Sequence, residues 1–186
     1  MLTWESYLKA NLDTGIAVDA CLIETFASNL VTAITHNKTV FAFGNGGSAA
    51  TANHFNADLA LMKIRTGTSC RSVSLNTDLS LSTAISNDIN YESVISKQLE
   101  IYASPGDVAV GFSASGNSKN IVAAFEQAIK MDLEAWAIIG FDGGQAKKMT
   151  GINVIHFASP RDYGLIENLH MCLAHFVVDK LIHNFK

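Results

Sequence analysis

A β-prone run that breaks on small residues and resumes as a helix occurs twice in this chain, and that repetition limits the fold more than any other feature. Thr39–Phe43 is β-rich, Gly44-Asn45-Gly46-Gly47-Ser48 interrupts it, and the alanine-rich stretch behind predicts a helix to about Met62. Asp107–Phe112 reads as a buried strand, Ser113-Ala114-Ser115-Gly116-Asn117-Ser118 as its turn, and the pattern through Lys130 as the next helix. Strand, turn and helix in series define an α/β chain whose parallel strands are covered by helices on both faces. In such sheets ligands bind beyond the carboxyl ends of the strands, where both turns would lie.

The remaining pattern fits that frame. Ser69–Leu75, Leu133–Gly140 and Asn153–Ala158 are further strand candidates. Ile23, Phe26, Ala27, Leu30 and Ile34 recur at helical spacing, predicting an amphipathic helix over about 17–36 within an N-terminal helical extension of about 1–37. Asp78–Ser86 and Tyr91–Tyr102 read as helices around Asn87-Asp88, Asp142-Gly143-Gly144 opens a short one, and Asp162–Asn184 forms the last. The 186 residues fit one domain, 1–186, and with 48% apolar residues there is enough for one core and a surplus for contacts between subunits.

Several functions drop out on charge and cysteine usage. A formal charge of -4 offers no basic stripe for DNA or RNA. Cys21, Cys70 and Cys172 are odd in number and lack Cys-x-x-Cys spacing, so they read as free thiols. No apolar run is long enough to span a bilayer, which makes the cytoplasm the expected location.

Gly44, Gly46 and Gly47 match neither a dinucleotide fingerprint nor a Walker loop. The loop reads equally as a phosphate or hydroxyl binder at a helix start and as a tight turn with Ser48 as N-cap. Ser113, Ser115 and Ser118 gather three hydroxyls at the second helix start, which favours a small dianionic phosphate over simple capping. His54 and Asp58, four apart, share a helix face, a spacing more usual for a solvated pair than for ligands of a metal or substrate when taken alone. Glu167 and His175 lie about two turns apart on the last helix, and with His54 and Asp58 they offer two nitrogens and two carboxylates for zinc. His170 reads as a core or interface histidine. Asn87-Asp88 is open between turn chemistry and a ligand contact.

Taken together, Asn45-Gly46-Gly47-Ser48, His54, Asn87-Asp88, the Ser113–Ser118 loop and His175 resemble the bacterial phosphoheptose isomerases, a branch of the sugar isomerase (SIS) domain proteins. The resemblance covers almost the whole chain. It implies a flavodoxin-like, three-layer α/β/α sandwich with a central, mostly parallel five-stranded sheet. It further implies a cytoplasmic homotetramer with active sites shared between subunits, and a zinc-assisted conversion of sedoheptulose 7-phosphate to D-glycero-D-manno-heptose 7-phosphate through an enediol. On that resemblance Ser113, Ala114, Ser115 and Ser118 cradle phosphate, while Asn45, Gly46, Gly47, Ser48, Asn87, Asp88 and Glu167 contact the sugar. His54, Asp58, Glu167 and His175 surround zinc, with Asp58, His175 and Glu167 as the acid–base set.

Four positions depart from the family pattern. Asp58 stands for a glutamate, Glu167 for a glutamine, Ala114 for a threonine and Gly164 for an aspartate, so the acid and amide roles of 58 and 167 are read as exchanged. The competing readings are a sugar-phosphate sensor and a non-catalytic SIS protein similar to the bacterial regulator that binds the replication initiator ATPase. Its branch lacks ionisable groups at the places of Asp58 and His175, both of which this chain keeps.

Overall fold

The structure, a computed structural model, describes residues 2–160 and 162–186. Its centre is a sheet of five parallel strands: β1 (Thr39–Phe43), β2 (Arg71–Ser74), β3 (Val108–Ser113), β4 (Glu134–Phe141) and β5 (Asn153–Ala158), in spatial order β2-β1-β3-β4-β5. Alternate side chains of each strand enter different cores. Val40, Ala42, Val110, Phe112, Trp136 and Ile138 pack under α2 (Ala20–Thr35), α3 (Gly47–Thr66) and α7 (Tyr163–Phe185). Phe41, Phe43, Ala109, Ala137 and Ile139 pack under α5 (Val94–Tyr102) and α6 (Lys119–Lys130), with α4 (Leu79–Asp88) at the margin. Burial on both faces is why β1, β3 and β4 are continuous apolar runs rather than alternating ones.

Three elements differ from the pattern-based expectation. The N-terminal region is two helices, α1 (Trp4–Ile16) and α2, bent by 72°. Thr3 opens α1 through a reciprocal pair with Ser6, and Asp19 opens α2 by accepting from the Cys21 N–H. The helix expected to end near Met62 continues to Thr66, where Gly67 (φ 80°) supplies the left-handed closure. The short helix expected after Asp142 is a single 3-10 turn, Ala146–Lys148. Among the described residues no single helix is long and apolar enough to cross a membrane.

Strands β1 and β3 are neighbours whose chains leave to opposite faces of the sheet, β1 into α3 and β3 into α6. This is the topological switch point, and both small-residue turns emerge there.

Candidate active site

The helix starts at the switch point carry unspent donors. α3 begins at Gly47 behind Gly46 (φ 54°), with no side-chain cap, and Ser48 sits inside its first turn. The N-cap is therefore Gly46, not Ser48 as the tight-turn alternative has it, and the Ser48 side chain is left for another role. At α6, Ser118 is the N-cap residue, yet its hydroxyl makes no capping bond. Ser113 Oγ accepts from Gly116 N–H (3.1 Å) and Ser115 Oγ from Asn117 N–H (3.2 Å), which curls the serine turn. Uncapped helix N-termini beside hydroxyls suit an anion.

The curl is braced from outside. Gly116 (φ 61°) presses on the Gly143 carbonyl so closely that a Cβ would collide with it, and its own carbonyl accepts from Ala146 N–H at 2.9 Å. Asn117 Oδ1 accepts from Gln145 N–H at 3.0 Å. The Asp142-Gly143-Gly144 segment is thus a buttress for the serine turn. On the other turn, Asn76 clamps Gly44, its Oδ1 accepting the Gly44 N–H (3.0 Å) and its Nδ2 donating to the Gly44 carbonyl (2.9 Å).

Between the turns is a cleft of about 100 Å³ lined by Asn45, Ser48, Ser113, Ala114, Ser115, Ser118, Tyr163 and Glu167. Eight residues of the expected substrate set, Asn45, Gly46, Gly47, Ser48, Ser113, Ala114, Ser115 and Ser118, occupy the two turns framing it, and Glu167 leans in from α7 over Gly47. Asn87 and Asp88 do not line it. They are exposed at the end of α4, where Asn87 Nδ2 donates to Asp88 Oδ1 at 2.8 Å. A larger hollow, about 460 Å³, opens at the amino ends of the strands around His36, Lys38 and Glu134, away from all of these groups.

A second constellation lies further along the same helix pair. α3 and α7 run side by side in one direction, so Glu167 meets Gly47 and His175 meets His54. Seven residues of α3 separate those levels, about 10 Å along the axis. His54 Nε2 lies 2.9 Å from His175 Nε2 and 3.3 Å from Asp58 Oδ2, while Arg65 Nη2 approaches Asp58 Oδ1 at 3.9 Å. Ligand atoms of His54, Asp58 and His175 all fall within 4.8 Å of one another. Glu167, expected as a fourth ligand, is not in this group; its carboxylate is held at the Gly47 level.

Two imidazoles and a carboxylate form a donor set suited to zinc with a position left open. Nitrogens bound to one tetrahedral zinc at about 2.0–2.1 Å stand about 3.3 Å apart, so the two rings would separate by roughly half an ångström to admit it. His54 is half exposed and Asp58 largely covered, so the open side faces solvent and the anchoring carboxylate faces protein.

His170, three residues beyond Glu167, belongs to the core. It is completely buried between Phe112 and Phe157, and neither ring nitrogen has a hydrogen-bond partner. Burial pushes its imidazole down to about 3; the nearby backbone of Ile139 offsets part of this without satisfying either nitrogen.

Residues 3–140 match the SIS domain family, which makes this chain an SIS-domain protein. Within that family it belongs to the phosphoheptose isomerase branch. It is 41% identical over 144 residues to the phosphoheptose isomerase of Sulfurimonas denitrificans, covering 76% of this chain and 71% of the relative. It is 32% identical over 183 residues to a probable phosphoheptose isomerase of Thermoplasma acidophilum, covering 97% and 98%. The solved phosphoheptose isomerase of Neisseria gonorrhoeae superposes with a TM-score of 0.87 at 32% identity, covering 97% of this chain and 95% of that one.

Proposed function

We propose that this chain is a cytoplasmic aldose–ketose isomerase that converts sedoheptulose 7-phosphate to D-glycero-D-manno-heptose 7-phosphate. The observation that carries the reading is the meeting of His54, Asp58 and His175 on the same α3–α7 pair whose upper end borders the serine cleft. An extended seven-carbon chain then has a place for each end, phosphate among Ser113, Ser115 and Ser118, and C1 and C2 toward the acid–base cluster.

The reaction moves one proton between adjacent carbons. A base takes the proton from C1, the C1–H electron pair forms the C1=C2 bond, and the C2 carbonyl oxygen accepts a proton, giving the enediol. The return half removes the O1 proton as C1=O forms and delivers a proton to C2. Asp58 is the proposed base and His175, through Nε2, the opposing acid/base. Glu167, at the cleft about two helical turns from that cluster, is proposed to hold a sugar hydroxyl and so orient the chain, in place of the acid–base role the resemblance implied. Zinc fits His54, Asp58 and His175, and when bound it supplies a Lewis acid for the negative charge that develops on the substrate oxygens.

The exposed apolar stripe of α1 supports assembly, and a homotetramer with shared sites would give Asn87 and Asp88 a sugar to contact from a neighbouring protomer. The test is direct. Sedoheptulose 7-phosphate is incubated with the protein, with and without added zinc, and aldose is followed by proton NMR. The reading expects turnover in the native chain and its loss in Asp58→Asn and His175→Ala with phosphate binding retained; a native chain that binds the sugar phosphate but never converts it is a binding module instead.

A further inference from the structure

Asn45 at the cleft is not a free side chain. Its Oδ1 accepts from Asn120 Nδ2 at 2.8 Å and from the Tyr91 hydroxyl at 2.9 Å, while its Nδ2 donates to Asn120 Oδ1 at 2.8 Å. The two amides form a closed reciprocal pair across the switch point, joining the turn after β1 to the first turn of α6. Asn120 is buried, 3% exposed, so the pair is shielded from competing water on the Asn120 side, while the half-buried Asn45 faces the cleft. Tyr91 comes from a third segment, the 3-10 turn Tyr91–Ser93 ahead of α5, and its ring is largely exposed although its hydroxyl is engaged.

The count of donors and acceptors fixes what Asn45 presents. Its carbonyl oxygen has two lone pairs and both are taken; its NH2 group has two hydrogens and one is taken. One N–H remains, on a residue that lines the cleft with Ser48, Ser115 and Ser118. Without Asn120 the amide can rotate and offer either end.

We infer that Asn120 and Tyr91 are positioning residues that lock the Asn45 amide so that it offers the cleft a single N–H donor, making the cleft selective at that point for a hydrogen-bond acceptor such as a phosphate or sugar oxygen. This rests on reading the serine cleft as the ligand site. It does not depend on the acid–base cluster, and neither residue touches the ligand.

The experiment measures sedoheptulose 7-phosphate and inorganic phosphate binding by calorimetry, alongside KM and kcat, for the full chain and for Asn45→Ala, Asn120→Ala, Tyr91→Phe and the double variants on Asn45→Ala. Loss of one hydrogen bond to an anionic ligand predicts that Asn45→Ala and Asn120→Ala each weaken sugar-phosphate binding about tenfold, seen in KM more than in kcat. Tyr91→Phe weakens it about threefold. The decisive readout is coupling: on the Asn45→Ala background neither second change costs anything further, because each acts through Asn45 alone. Losses that multiply in the double variants, or native binding in Asn120→Ala, overturn the inference. Should Asn120→Ala fail to fold, the exposed Tyr91→Phe change and its double variant decide it. Binding without turnover in the native chain would defeat the isomerase reading and leave this one standing, whereas a native chain that binds neither probe defeats both.

Discussion

The carboxylate of Glu167 lies directly over Gly47, so near that a Cβ at position 47 would overlap both of its oxygens. Gly47 is not among the glycines with positive φ, so alanine suits its backbone, and the atoms in the way are the end of a flexible side chain. Gly47→Ala should therefore displace Glu167 and little else. The expected outcome is a melting temperature within about 2 °C of the native chain, with turnover lowered to the level of Glu167→Gln, which removes the charge without changing the shape. Steady-state kinetics on both variants checks this; a Gly47→Ala enzyme with native turnover would remove Glu167 from the mechanism.

The proposed metal dependence rests on the three ligand atoms gathered from two helices. His54→Ala and His175→Ala each leave two donors, too few to hold zinc against water. Elemental analysis after dialysis against trace zinc is expected to find about one zinc per native chain and almost none in either variant. Glu167→Gln should keep its zinc, since its side chain is at the Gly47 level. Zinc loss in that variant would mean that Glu167 swings down to complete the set.

Much of the fold was legible because burial on both faces makes β1, β3 and β4 continuous apolar runs punctuated by glycine and serine. The site was legible only in pieces. Spacing put His54 beside Asp58, but nothing local brings His54 to His175, 121 residues away; that takes the side-by-side course of α3 and α7. The same course explains Glu167. Helical periodicity put it in one sector with His175, yet two turns along α7 correspond to two turns along α3, so the carboxylate meets Gly47 and not His54. Asn76, Tyr91 and Asn120 gave no signal, being single polar residues whose partners sit in other turns.

His170 makes stability depend on pH in a window its burial defines. Folded, its imidazole titrates at about 3; unfolded, at the ordinary 6.5. Between those values the unfolded chain holds a proton that the folded chain lacks, so stability drops as pH falls from 6.5 toward 3, with a limiting slope of about 1.4 kcal/mol per pH unit. At pH 5 the accumulated loss is about 2 kcal/mol. His170→Leu fills a similar volume, carries no proton and removes two orphaned nitrogens. Denaturant midpoints measured from pH 7 to pH 4.5 should fall less steeply for His170→Leu than for the native chain, and parallel curves would show that another group sets the acid sensitivity.

The assembly prediction turns on α1. Trp4, Leu8, Leu12 and Ile16, at four-residue intervals on one side of the helix, are 67%, 49%, 62% and 72% exposed, and α1 buries none of its residues fully. A stripe of that length on a lone chain would cost solubility, and a neighbouring protomer in the proposed assembly would relieve it. Leu12→Glu puts a charge in the middle of the stripe without touching either core cluster, so each chain should keep its fold and its circular dichroism. Light scattering behind a sizing column is expected to show the native protein as a tetramer and Leu12→Glu as smaller species. If active sites are shared across that boundary, turnover per chain in Leu12→Glu should also rise with protein concentration, as dilute subunits are forced back together; an unchanged mass would move the interface to another face.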